Sequence, residues 1–395
     1  MALTFASLYC GCGGFDLGFT EAGYRCTGAF DIDPLAIKVH RDNLKSPTTL
    51  CDLTSTNPSL GGLRADVLLA GSPCQGFSTV GKRDPHDPRN SLLVLGGRIA
   101  VATRPRVFIA ENVSGVVAGE QRRFWDALAN TLRTAGFRTT DFLCDAQRMG
   151  VPQRRRRMVM VAWRRNRDFR FDIPPVTGGG LKSALEFLDG VSNHEPSTLL
   201  PNSRSAMIAN HIGQGQKLSN VRSGPRSIHT WNIPEVYGRT SRRERHVLET
   251  LIRLRRQNRL RSVGDADPVT ARAMSLSLGH NVRDTLKSLV RKRYVRYRNG
   301  AFDLTHTFNG KYRRLASDAP SPTVDTRFGD PRYFLHPTQH RGLTVREAAR
   351  IQGFPDSFVF DGPARTQYRL VGNAVPPPMA RQIASCIRDA ILETP

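Results

Sequence analysis

The chain has no apolar run near the 18 residues that a membrane-spanning helix needs, and no charged, apolar and small-residue leader, so neither a transmembrane segment nor a signal peptide is expected. Cysteine is sparse and unpaired: Cys10, Cys12, Cys26, Cys51, Cys74, Cys144 and Cys386 are odd in number, scattered, and contain no CxxC pair. That argues against a disulfide framework and against a zinc site, and reduced thiols fit the cytosol. Acidic residues are also scarce, 34 against 58 Lys plus Arg, which leaves a net charge of +24. No internal repeat is present. Composition is that of a soluble globular protein, and 395 residues fit two domains at roughly 100 to 200 residues each.

A basic excess of this size favours a polyanionic partner, because neutralising phosphates releases condensed counterions. Charge alone leaves an arginine-rich codon bias open, but the distribution is uneven. Residues 239–300 hold 17 Lys plus Arg against 5 Asp plus Glu, half of the whole excess in under a fifth of the chain. That pattern reads as a surface.

The first 162 residues alternate apolar strand signals with amphipathic segments, the signature of an α/β fold with a doubly wound, mostly parallel sheet. The strand candidates are 4–9, 26–30, 66–70, 107–110 and 158–162, with another before Asp52. In "RRFWDALANTLRTAG", Phe124, Leu128 and Leu132 recur at helical spacing and Gly136 supplies a stop. Near Arg167 a Pro- and Gly-rich linker begins. From about 337, Thr344 and Glu347 form a capping box and Gly353 with Pro355 ends the helix. We therefore expect three segments: 1–168 as catalytic and cofactor domain, 169–318 as a recognition domain, and 319–395 completing the first.

"SLYCGCGGFDLGF" joins the first strand to a helix through Gly11, Gly13 and Gly14. The dinucleotide fingerprint needs a third glycine where Asp16 stands, which weakens a nicotinamide reading and leaves either a plain tight turn or an adenosine site. Asp31 and Asp52 at successive strand ends favour the latter, since a strand-end carboxylate can accept from ribose hydroxyls.

"DVLLAGSPCQGFSTVG" runs a buried strand into a breaker cluster that presents Cys74, where an α/β sheet places chemistry. "VFIAENV" brings Glu111 to another strand end, and in "GVPQRRRRMVMVA" the residues Gln153, Arg155 and Arg157 alternate onto one face just before a strand.

"GSPCQGFS", "ENV", "QRRRR", the Gly-rich N-terminus, "LTVREAARIQGFPDSF" and "GNAVPPPMA" occur in the order seen in DNA (cytosine-5)-methyltransferases, and over 1–165 and 315–390 the chain resembles a bacterial, restriction-modification member of that family. The resemblance implies S-adenosylmethionine as cofactor, double-stranded DNA as partner, a restriction endonuclease as genetic partner, a monomer working in the cytoplasm, and no metal. It makes Cys74 the nucleophile at carbon 6 of a flipped-out cytosine. Glu111 resembles the glutamate that bonds ring nitrogen 3 and the exocyclic amine, and Arg155 matches the arginine on the carbonyl oxygen at carbon 2, with Gln153 and Arg157 completing the set. Around the cofactor it implies Tyr9, Gly11, Gly13, Gly14, Phe15, Asp31, Ile32, Asp52, Leu53, Pro73, Asn373 and Val375, with Asp52 on the adenine amine. Tyr9 stands where phenylalanine is usual and Ile32 where an aromatic is frequent. Gln75 and Ser78 are expected to face DNA.

The region about 170–315 corresponds to the family's target-recognition segment. Its own pattern suggests a shape: a helix from the Ser241/Glu244 capping box, a second opened by Asp267 and Pro268, a third capped by Asn281, and a hairpin at Asn299-Gly300, which is a winged-helix order. Arg283, Lys287 and Arg291 share an outward face, and with Arg296 and Arg298 they are the expected DNA contacts. A helical spacer with solvated charges stays open. An RNA-acting relative is disfavoured by the large basic insert and by the lack of a Cys-Phe-Thr signature. A non-catalytic DNA-binding regulator is disfavoured by the intact Cys74, Glu111 and Arg155 set.

Overall fold

The computed structural model describes residues 2–55, 60, 62–77, 84, 86–164, 173–221, 224–257 and 267–389. The chain divides into two compact units: Met1–Glu195 with Asp318–Thr326 and Thr344–Pro395, and Pro196–Ser317 with Arg327–Leu343. The expected boundaries fall elsewhere. Residues 173–195 belong with the first unit and 327–343 with the second, because the chain passes between the units four times and not twice.

In the first unit, β1 (Thr4–Leu8), β2 (Arg25–Asp31), β3 (Thr48–Leu50), β4 (Val67–Ala70), β5 (Val107–Val113), β6 (Arg138–Asp145) and β8 (Arg156–Trp163) form one sheet, while β7 (Gln153–Arg154) pairs separately with Ser321–Pro322. The order is β3-β2-β1-β4-β5-β8-β6. β1 to β5 are parallel, and β8 runs antiparallel to both of its neighbours. This is the doubly wound sheet expected from the alternating pattern.

Side chains alternate across a strand, so a sheet buried on both faces carries two cores. Phe5, Val67, Leu69, Val107, Ile109, Val159 and Val161 pack with Phe15 and Phe19 of α1 (Gly14–Glu21) and with Met379 and Ile383 of the helix Pro377–Ile387. Ala6, Leu8, Leu68, Phe108, Met158 and Met160 face the other way, onto α3 (Ser91–Thr103) and onto Trp125, Leu128 and Leu132 of α4 (Arg122–Thr134). Between α1 and α3 in the chain lies α2 (Pro34–Leu44), capped by Asp33. The C-terminal helix thus completes the core of the N-terminal domain. Its approach needs Gly18: a Cβ there would lie 2.5 Å from the Pro377 carbonyl oxygen and 2.6 Å from the Arg381 nitrogen.

Among its described residues the second unit shows two cores. One gathers Ile208, Leu218, Ile233, Tyr312 and Leu335. The other unites the helices Arg242–Gln257, Ala271–Leu278 and Arg283–Arg291 with a hairpin of Val295–Arg298 and Ala301–Leu304. The hairpin turns at Asn299 and Gly300, both at positive φ (50° and 78°), as a two-residue type I′ loop requires. The second helix starts later than expected, at Ala271 behind the N-cap Thr270, whose hydroxyl accepts from the Ala273 N–H. Asp267 and Pro268 cannot open it because Val269 is held extended, exchanging backbone hydrogen bonds with Phe302 (2.9 and 2.8 Å).

Candidate active site

In a doubly wound sheet a ligand crevice opens outside the carboxyl ends of the strands where their order reverses, here between β1 and β4. A cavity of about 250 Å³ lies there. The turn after β1 supplies Tyr9, Gly11, Gly14 and Phe15; β2 ends in Asp31 and Ile32; the turn after β4 supplies Pro73, Cys74 and Gln75; and Asn373 and Val375 come from the end of the chain.

Asp31 is fixed as a strand-end carboxylate. Its Oδ2 accepts from the Gly11 N–H (2.8 Å) and its Oδ1 from the Asp33 N–H (2.9 Å), and burial pushes its carboxyl up despite these bonds. Each oxygen keeps lone pairs for a further donor, which suits a nucleoside's hydroxyls. Gly14 lets the Val375 carbonyl come close: a Cβ would stand 2.4 Å from that oxygen. Tyr9 adopts a left-handed backbone (φ 56°), and its hydroxyl, the departure from phenylalanine, donates to the Leu92 carbonyl at 3.0 Å. Ile32 is 65 % exposed at the lip. The Asp31 carboxylate beside apolar Phe15 and Ala36 fits the hydroxyls of an adenosyl group such as S-adenosylmethionine.

Three expected cofactor residues lie elsewhere. Gly13, at φ 95°, leaves room for the neighbouring helix: a Cβ would sit 2.8 Å from His40 Cδ2 and from Leu44 Cδ1. His40 Nε2 lies 2.7 Å from Asp16 Oδ2, both side chains fully buried, so Asp16 replaces the missing third glycine by an internal pair. Asp52 is exposed and its Oδ1 accepts from the Thr54 N–H (2.9 Å) and hydroxyl (2.7 Å), closing a turn after the short edge strand β3. Leu53 is packed in the core.

Glu111 is inside β5, which continues through its "ENV" to Val113. In the antiparallel pairing with β8, Glu111 stands opposite Val159 and Val113 opposite Arg157. Glu111 and Arg157 are therefore diagonal neighbours on one face, within reach of a long side chain. Arg157 Nε lies 2.8 Å from Glu111 Oε1, with both side chains nearly buried. Burial pushes the Glu111 carboxyl up against the opposing charges of Arg157 and Arg155. The Cys74 thiol is raised as well, first by burial and then by Glu111, while Arg157 and Arg155 pull it down. All four residues line the cavity.

The expected roles of Arg155 and Gln153 do not match their surroundings. Arg155 is 1 % exposed and directs its guanidinium to main-chain carbonyls: Nη1 to Val324 (3.1 Å), Nη2 to Gly372 (3.2 Å) and Ala374 (2.7 Å). Gln153 lies outside the cavity lining, its Nε2 donating to the Ile351 carbonyl (3.1 Å) and to Gln352 Oε1, and its Oε1 accepting from the Val324 N–H (3.1 Å). Both fasten the C-terminal segment onto the sheet. The register explains why: alternation does place the three on one side, but only Arg157 is on β8 itself.

Asn112 and Arg369 were not anticipated. Asn112 Nδ2 donates to the Ser72 carbonyl (3.2 Å) and holds the turn that carries Cys74. Arg369 reaches the cavity and pairs with Asp33 at 2.5 Å. "ENV" carried the first signal; the second depends on a return of the chain that no local pattern shows. Gln75 is exposed at the cavity, and Ser78 lies outside the described residues. On the second unit Arg283, Lys287, Arg291 and Arg298 are exposed, whereas Arg296 Nη2 pairs with Asp303 at 2.7 Å.

The family model for C-5 cytosine-specific DNA methylases matches residues 3–389, and the chain belongs to that family. It is a DNA cytosine-5 methyltransferase dependent on S-adenosylmethionine. It is similar to the Type II methyltransferase M.HgiCII of Herpetosiphon aurantiacus, 29 % identical over 97 % of this chain and 96 % of that one. M.DdeI of Desulfomicrobium norvegicum is 28 % identical over 98 % and 88 %. The Dnmt2 methyltransferase structure of S. pombe, 15 % identical, shares the fold with a TM-score of 0.52 over 98 % of both chains. Among the described residues no helix is long and apolar enough to cross a membrane, and no cluster could hold a metal ion.

Proposed function

We propose that the chain modifies a flipped-out cytosine in duplex DNA through a covalent bond from Cys74 to carbon 6. Extrusion costs a few kcal/mol, which contacts between a cationic protein and phosphates offset. The Cys74 thiolate adds at carbon 6, and the ring electrons move toward carbon 5. Glu111, whose carboxyl is biased toward its protonated form by burial, donates to ring nitrogen 3 and accepts from the exocyclic amine. Arg157, in place of Arg155, holds the carbonyl oxygen at carbon 2 and keeps Glu111 oriented. S-adenosylmethionine, when bound, supplies the methyl group that carbon 5 accepts. Water then takes the carbon-5 proton, the bond from carbon 6 to sulfur breaks with its electrons on Cys74, and ring nitrogen 3 returns its proton to Glu111. Asp31, Phe15, Pro73 and Val375 hold the cofactor, and Arg155 positions the 372–375 segment that forms one wall.

The observation that carries this reading is the Glu111–Arg157 pair beside Cys74 in one cavity. The likeness to Type II methyltransferases supports a restriction-modification role, with an endonuclease as genetic partner.

Duplex DNA substituted with 5-fluorocytosine tests it, because fluorine at carbon 5 cannot leave as a proton. A protein–DNA species that survives denaturing electrophoresis, needs S-adenosylmethionine and vanishes in Cys74→Ser is expected. Methylation of ordinary DNA without any such species on the fluorinated duplex would contradict the covalent route.

A further inference from the structure

The second core of the smaller unit is more than a spacer. Its elements run helix, extended Val269, helix, helix, hairpin, and Val269 pairs antiparallel with Phe302 of the hairpin, so three short extended pieces flank a three-helix body. Leu248, Leu251, Met274, Leu286, Leu289 and Leu304 are fully buried at its centre. Two polar ties fix the parts. Glu244 caps the first helix, takes a hydrogen bond from Ser288 (2.8 Å) and pairs with Lys292 (2.8 Å), joining first and third helices. Asp303 pairs with Arg255 (2.6 Å) and Arg296 (2.7 Å), joining the first helix to the hairpin.

The inward pairing of Arg296 sorts the cations. Arg283, Lys287 and Arg291 recur every four residues along the third helix, exposed on the side opposite Leu286 and Leu289. Beside the start of that helix, Arg272, Ser275, Leu276 and His280 line a shallow groove, with Leu276 75 % exposed. At the hairpin, Tyr297 is 57 % exposed next to exposed Arg298. A nine-residue helix spans about 13 Å, and the B-DNA major groove, about 12 Å wide, admits one. A-form RNA closes that groove to side chains.

We propose that this module is a winged helix that reads the target sequence, with Arg283–Arg291 in the major groove of duplex DNA and the 295–304 hairpin as the wing. Arg283 and Lys287 reach base edges, Arg291 and Arg298 meet phosphates, and Arg296 serves the fold. The proposal rests on duplex DNA being the substrate, and its test separates the two.

Full-length protein is compared with Arg283→Ala/Lys287→Ala and with the charge-conserving Arg283→Lys/Lys287→Arg, using fluorescent duplexes of random sequence for binding against salt and bisulfite mapping for site choice. The alanine variant is expected to spread methylation beyond the wild-type sites, losing about tenfold or more of discrimination per lost base contact, while its salt slope on random duplex stays, since neither side chain meets phosphate. The charge-conserving variant keeps the slope and loses selectivity, since only base contacts carry sequence. Both keep cofactor affinity and thermal stability, because the two side chains are exposed. Unchanged methylated sites in the alanine variant, or a salt slope shallower by about two, overturn the proposal. A wild type that binds duplex with a salt-dependent affinity but methylates nothing overturns the enzymatic reading instead.

Discussion

Arg157 Nε stands 2.8 Å from Glu111 Oε1 across the β5–β8 pairing, two residues out of direct register. The pair joins β8, antiparallel to both of its neighbours, to the parallel strands, at the end where Cys74 is presented. Arg157→Ala removes the cation that orients Glu111 and faces the base. Methyl transfer is expected to fall by about 10² to 10³, as for loss of one preorganised donor, with cofactor affinity unchanged. Single-turnover kinetics beside equilibrium cofactor binding distinguish this from misfolding.

Arg155→Ala has a different signature. Three main-chain carbonyls lose their donors in a buried site. At about 1 to 3 kcal/mol per unsatisfied group, stability is expected to drop by about 3 kcal/mol or more. Thermal unfolding by circular dichroism reads the loss directly, and Arg157→Ala should show far less of it.

The Cys74 thiol titrates above the ordinary cysteine value because burial disfavours the thiolate, Arg157 and Arg155 favour it, and Glu111 opposes them. Alkylation of Cys74, followed by peptide mass spectrometry, should therefore rise only at pH above about 8.5. Glu111→Gln shifts that rise to lower pH and Arg157→Ala to higher pH. The opposite ordering would contradict the electrostatics assigned to the site.

Gly18→Ala tests the return of the C-terminal helix. The added methyl meets backbone of Pro377 and Arg381, which cannot rotate away. A loss of about 1 to 3 kcal/mol is expected on overpacking grounds, measurable by denaturant unfolding.

In the smaller unit, burial opposes ionisation of Asp303, yet His306, Arg296 and Arg255 hold its carboxyl far below the usual carboxylate range. A depressed folded value means that its stabilisation is complete above about pH 4 and is lost as the pH falls further. The stability gap between wild type and Asp303→Asn should be widest at neutral pH and shrink on acidification below about 4.

The buried runs Val67–Ala70 and 107–110 were legible because parallel strands covered on both faces read as apolar stretches, whereas the polar end of β5, to Val113, was not. β6 was not, since it is the edge of the sheet, exposes Arg138, Asp141 and Leu143, and buries only Cys144 fully. α3 escaped notice as well: "SLLVLGGRIAVAT" carries two glycines, which weaken a helical reading while allowing close packing, Gly97 against Leu128. At the site, Cys74 and Asp31 were marked by strand ends, and Glu111 by the polar residues that follow an apolar run, although β5 continues past it. The exchange of Arg155 for Arg157 was not visible, because which of two alternating arginines reaches a partner depends on strand register. Asp52 lies outside the cavity lining, its Oδ1 held by Thr54 two residues on, a local turn that no strand-end pattern shows.

Incubation with S-adenosylmethionine and plasmid DNA, with 5-methylcytosine mapped by bisulfite sequencing and Cys74→Ser run in parallel, tests the central claim most directly. Methylation confined to one short motif and abolished in Cys74→Ser is the predicted result. Methylation that persists in Cys74→Ser, or none on any duplex by protein shown to bind the cofactor, would contradict it.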